Sequence, residues 1–225
     1  MVNEPTERGN VFFVILLGVT LFASLSVALL KMDRGSTNIS KEAVEVAASK
    51  TLRYVAQLKQ SVDFLYQDGV SEADIRFAHP SADAQYGDIT TNTSYQVFAE
   101  TGGGLAYTKP LADISSADID YEFFGFSAAP QVGTDEADLM VVVRNVKESV
   151  CNRLNEMVGY DKGATIPSDS STCVYSSTTS DKFTGTFATG GDINDMGTTD
   201  YRLPAYQACV ACGSDYHFYS VLIER

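Results

Sequence analysis

The chain has 225 residues, 44% apolar and 20% charged, with a formal charge of −13. Those proportions are ordinary for a globular protein and exclude intrinsic disorder and collagen-like repetition, and the size suits one large domain or two small ones. In the first thirty-four residues Arg8, Lys31 and Arg34 offset Glu4, Glu7 and Asp33, so the remainder carries the whole negative charge. Such a surface repels nucleic acid and anionic headgroups, which argues against both as partners of the polar part.

The first element is Val11–Leu30, an unbroken run without a charged residue. As a helix rising about 1.5 Å per residue it spans roughly 30 Å, the thickness of a bilayer hydrocarbon core. A cleaved secretory signal has a shorter apolar core, roughly 7–15 residues, followed by a small-residue cleavage site. No Ala-x-Ala follows Leu30. The run therefore predicts a membrane helix over 10–34. One basic residue precedes the run and two follow it closely, a count that slightly favours the inverted orientation. The cysteines and the acidic C-terminal part instead suit an extracytoplasmic compartment.

A short polar leader ending in Arg8-Gly9 stands just before this run. Leader and run together resemble the N-terminus of type IV pilins and of the pseudopilins of type II secretion. The resemblance implies cleavage after Gly9 by a prepilin peptidase, with Asn10 as the mature N-terminus. Val14 holds the place where most such proteins have glutamate, as in some minor pseudopilins. It also implies a non-enzymatic subunit of a homo- or hetero-oligomeric filament, either single-pass in the inner membrane with an extracytoplasmic head or assembled outside. Within the run, Gly18 and Ser24 are small enough to let helices approach closely, the feature expected of an assembly face.

After a bend over Lys31–Asn38 the sequence predicts a helix from about Ser40 to Asp68, capped by Ser40 and stopped by Gly69. Val44, Ala48, Val55, Leu58, Val62 and Leu65 form one apolar stripe on it. Joined to the membrane helix, residues 10–68 would make a spine of roughly 88 Å, whose upper half docks on a β-rich head as in pilins. Residues 70–131 read as short β segments, Ile75–Phe77, Tyr95–Phe98 and Tyr121–Phe126, with a tight loop at Gly102–Gly104. That glycine triplet lacks the following Lys-Ser/Thr and helix of a phosphate cradle. A second helix is expected over about Glu136–Val158, from the spacing of Leu139, Val142, Val143, Val146, Val150, Leu154 and Met157, with Gly159 ending it. A Ser/Thr/Asp/Gly-rich stretch then runs to Thr199, and His217–Ile223 closes the chain as a buried strand. The organisation expected is a leader over 1–9, a transmembrane helix over 10–34, an amphipathic helix over 35–69 and a globular head over 70–225. The fold class is α+β, with helices on an antiparallel sheet.

Cys151, Cys173, Cys209 and Cys212 all lie in the last third. An even count on the outside of a membrane predicts two disulfides, with three connectivities open. A zinc site would need two close pairs, and a thioredoxin-like Cys209-Val-Ala-Cys212 would need to open a helix. The Gly-Ser-Asp-Tyr that follows reads as a turn instead. Asp192-Ile-Asn194-Asp195-Met-Gly197 is similar to the start of a calcium loop, but Met196 and Leu203 replace two ligands. An acidic surface turn is the simpler reading, with calcium as the alternative and no other cofactor expected. His79 and His217 sit beside no nucleophile elbow, and no catalytic set is assigned. Phe183-Thr-Gly-Thr-Phe187 and the ending Phe218–Arg225 also look like those of uncharacterised bacterial pilin-like proteins. The function expected is a pilin-like structural subunit. Its rival is a membrane-anchored module that recognises a glycan or another surface ligand without assembling.

Overall fold

The computed structural model describes residues 10–32, 35–82, 84–115, 117–159, 165–169, 173–174, 182–188, 191–193 and 203–225. By contacts the chain divides into two units, Met1–Ala43 and Val44–Arg225.

The first unit contains helix α1, Asn10–Met32. Its described side chains are those of residues 12–24 and 26. Among the described residues, no helix is long and apolar enough to cross a membrane.

Helix α2 spans Gly35–Gln67, so Ser40 lies inside it rather than capping its start, and the bend expected up to Asn38 gives way to helix from Gly35. Its end is as expected. Gly69 has φ 92, its N–H bonds the carbonyl of Tyr66 at 3.1 Å, and the N–H of Val70 bonds that of Leu65 at 3.0 Å. This is the Schellman arrangement that a glycine in the left-handed region permits. The predicted stripe is buried at Ala48, Val55, Leu58, Val62 and Leu65, and Val44 packs partly against the same core. The irregular segment after the helix lies on this stripe. Ser61 Oγ donates to the carbonyl of Val97 or Gly103, at 3.2 and 3.1 Å.

The head is a four-stranded antiparallel sheet of β1 (Glu122–Ser127), β2 (Asp138–Val143), β3 (Gln207–Cys212) and β4 (Asp215–Ile223), in the order β1-β2-β4-β3. Helix α3, Glu148–Val158, ends at Gly159 with φ 101. Alternation along the strands divides the core in two. Phe123, Leu139, Val141, Val143, Cys209, Phe218 and Leu222 share one cluster with the buried faces of α2 and α3. Phe124, Met140, Val142, Ala208, Val210, Tyr219 and Val221 face the other way, against Val132, Val174, Ile193 and Ala205.

This two-sided burial corrects the long second helix. Its first part, Asp138–Val143, is strand β2, buried at every position, and only Glu148–Val158 is helical. A central strand covered on both faces reads as a continuous apolar run, which periodicity alone does not separate from a buried helix. Among the short segments, Tyr121–Phe126 corresponds to β1 and His217–Ile223 to β4. Ile75–Phe77 and Tyr95–Phe98 share only one isolated bridge, Arg76 to Gln96. The Gln96 carboxamide bonds the N–H of Ala78 and the carbonyls of Asp88 and Thr91, so it satisfies local backbone that a longer ladder would otherwise use.

Both outer strands are covered along part of their length. Beside β1, Phe183 N–H bonds the carbonyl of Phe123 and Ala188 N–H that of Gly125, each at 2.8 Å. Beside β3, Ala211 donates to Pro167 at 2.7 Å and accepts from Asp169 at 2.8 Å, while Asn155 of α3 takes both backbone groups of Cys209.

Candidate functional site

Three places bear on function: the surface of α1, the cysteine framework, and a polar cluster at the start of β1.

On α1, side chains on every face are exposed. Phe12, Phe13, Val14, Ile15, Leu16 and Leu17 range from 48 to 76% accessible. The hydroxyls of Thr20, Ser24 and Ser26 donate to the carbonyls of Leu17, Leu21 and Phe22 in their own helix, at 3.0, 2.8 and 2.9 Å. A Cβ added at Gly18 meets nothing within 4 Å. Gly18 and Ser24 are both exposed on α1. Asn10 is the first residue of α1; Gly9 and the rest of the leader lie outside the described residues.

The cysteines pair as Cys151–Cys209 and Cys173–Cys212, with Cα separations of 5.3 and 5.7 Å, and none is free. Cys209 and Cys212 are three apart on one strand, so they project to opposite faces and each takes a distant partner. That pairing removes both the zinc and the local redox alternatives. The bonds close loops with separations of 58 and 39 residues, each worth about 4 kcal/mol in the chain-entropy account. Cys151 and Asn155 stand one turn apart on α3, and both hold Cys209: one covalently, the other through hydrogen bonds of 2.9 and 2.8 Å.

The polar cluster begins with Asp118, Asp120 and Glu122, alternate residues of an extended run, while Ile119 and Tyr121 between them and Phe123 after them are buried. Three distant cations meet the acids. Lys109 Nζ lies 3.3 Å from Asp118 and 3.6 Å from Asp120; Arg144 Nε lies 3.8 Å from Glu122; Lys182 Nζ lies 3.0 Å from Glu122. The Glu122 and Lys182 side chains are only 8 and 6% exposed. Burial pushes the Glu122 carboxyl up to about 7, against the pull of Arg144 and with Asp120 adding to the rise. Burial also pushes the Lys182 ammonium down. The two shifts act in the same sense, towards an uncharged pair.

His79 closes the cluster. It stacks on Tyr107 with ring centroids 3.5 Å apart, and burial lowers it to about 4, opposed by Asp120 and aided by Lys109. Ser81 Oγ lies 3.2 Å from His79 Nδ1 and 3.4 Å from Asp120. The three side chains thus come together with the serine in the middle. In an acyl-transfer triad the imidazole stands between hydroxyl and carboxylate. Here Asp120 accepts from Ser81 and from Tyr107. The arrangement ties together the loops carrying His79, Tyr107 and Asp120. The one local sign of it along the chain is the alternation Asp-x-Asp-x-Glu at residues 118–122.

For the calcium alternative, Asp192 lies in an isolated bridge with Ala128, and Asn194 and Asp195 lie outside the described residues. Among the described residues no three His, Cys, Asp or Glu side chains are grouped to hold a metal. No protein-family model, curated protein or solved structure matches the chain.

Proposed function

We propose that the chain is a pilin-like or pseudopilin-like structural subunit, non-enzymatic, held in a membrane by Val11–Leu30 and assembled through that run into an extracytoplasmic filament. The observation that carries this reading is the surface of α1, apolar and exposed on every side with its hydroxyls satisfied internally. A helix apolar all round needs lipid or other helices about it. Hydroxyls already bonded to their own backbone enter either setting without an orphaned polar group. Covered sheet edges support the reading, because they oppose assembly by strand addition. Two disulfides fit an oxidising compartment. Processing after Gly9 by a prepilin peptidase follows from the leader sequence alone.

The test is Gly18→Leu. Leucine keeps the run apolar and fits the isolated helix, but it blocks close helix approach. Membrane fractionation should find the variant inserted like wild type, while sheared-filament recovery falls. Equal recovery, or no filaments from either protein, overturns the reading in favour of a membrane-anchored binding module.

A further inference from the structure

Lys50, Arg53, Tyr54 and Gln57 follow one another on α2 at spacings of three, four and seven from Lys50, which puts them on one face of the helix. Together with the loop from Thr108 to Ile114 they enclose a groove of about 320 Å³. That is the lower end of the roughly 300–1,000 Å³ range of small-ligand sites. Tyr54 and Tyr121, both buried, form the floor, with ring centroids 4.8 Å apart. The Tyr54 hydroxyl donates to the carbonyl of Ala106 at 3.3 Å and accepts the N–H of Thr108 at 3.0 Å. The far wall is therefore tied to the helix, and Lys109 on it is steadied by Asp118 and Asp120.

Lys50 and Arg53 are different. Both are exposed, and among the described residues neither has an ion-pair partner. No carboxylate lines the groove, although the chain has 29 acidic residues against 16 basic ones. A concave site with two cations that no acid offsets, Lys50 and Arg53, beside the acid-paired Lys109, on a protein of net charge −13, keeps positive charge where most of the chain is negative. The guanidinium fork of Arg53 suits a planar carboxylate or a phosphate. Gln57 and Thr108 are also exposed there, and offer donors and acceptors for hydroxyl groups.

We propose that this groove binds a sugar-sized ligand bearing one anionic group, held by Lys50, Arg53 and Lys109, with its hydroxyls on Gln57 and Thr108 and its apolar side against the tyrosine floor. The site is independent of assembly and belongs equally to a filament subunit and to an anchored module.

The test is calorimetric titration of the full-length chain, in neutral detergent, with glucuronate, glucose phosphate and unmodified glucose at low and high salt. At least one acidic sugar should bind with a salt-sensitive affinity, and glucose should not. The tighter of the two identifies the anion as carboxylate or phosphate. Lys50→Ala and Arg53→Ala, exposed changes that leave the core intact, should each weaken binding at least about tenfold, the loss expected for one charged hydrogen bond. Lys59→Ala, which removes a cation of α2 paired with Asp63 and outside the groove, should leave it unchanged. Binding of glucose as tight as glucuronate, no binding of either acidic sugar, or wild-type affinity in both groove variants overturns the proposal. Any of these leaves the filament reading to be decided by Gly18→Leu.

Discussion

His217 accepts the backbone N–H of Asn145 at Nδ1, over 3.2 Å. Asn145 has φ 50 in the bend that leaves β2, and His217 is a buried residue of β4, the neighbouring strand. One imidazole lone pair thus anchors the turn between strand and helix. Burial lowers His217 to about 4, with Asp215 opposing and Arg144 assisting, so at neutral pH the ring is uncharged.

This gives a pH dependence of definite sign. The unfolded histidine has a pKa near 6.5. Between there and about 4 the unfolded chain binds a proton that the native chain does not, so stability falls as pH falls through that window. Glu122, raised to about 7, acts in the opposite sense but is common to both proteins in a comparison. The stability advantage of wild type over His217→Gln should shrink by on the order of 1–2 kcal/mol between pH 7 and 4.5. Urea unfolding followed by circular dichroism at both pH values measures it. A constant difference would mean that the imidazole is not held neutral.

Asn155→Ala should destabilise the head by about 2–4 kcal/mol, because it strands the N–H and the carbonyl of Cys209. Asn155→Asp, which keeps an acceptor for the N–H but loses the donor, should fall between. The urea midpoint, read with both disulfides intact, distinguishes the three proteins. Equal midpoints would show that the disulfide alone secures this edge.

Lys182→Met should cost about 1–3 kcal/mol, since it takes the 3.0 Å partner from the buried Glu122 and leaves Arg144 as a more distant one. Adding Glu122→Gln should restore a substantial part of that loss. A double change as unstable as the sum of the single ones would mean that the two side chains are not energetically coupled.

Gly125→Val should destabilise by about 1–3 kcal/mol through overpacking. A Cβ on Gly125 would lie 2.9 Å from the Phe183 ring and 3.1 Å from that of Phe187. Thermal denaturation monitored by circular dichroism should show a lower midpoint. No change would indicate that the Phe183–Phe187 segment does not press on β1.

Ends of elements and exposed periodic faces were legible in the chain. Gly69 and Gly159 stop their helices because only a residue without Cβ takes the left-handed conformation readily. The stripe from Val44 to Leu65 was readable because α2 has one buried face and one wet face. Leu139–Val143 was not, because β2 is buried on both faces and shows no polar alternation to give it away.

Local pattern and simple counts along the chain were enough for the α+β class, the apolar N-terminal helix, the amphipathic second helix, the last strand and the expectation of two disulfides. Folding in three dimensions settled which cysteines pair, that Asn155 guards Cys209, that Lys182 and Arg144 meet Glu122, and that Lys50 and Arg53 share a groove with Lys109. Each of these relations joins residues brought together by the packing of distant segments. No spacing along a chain encodes such a meeting, because it depends on which faces of which elements are buried together.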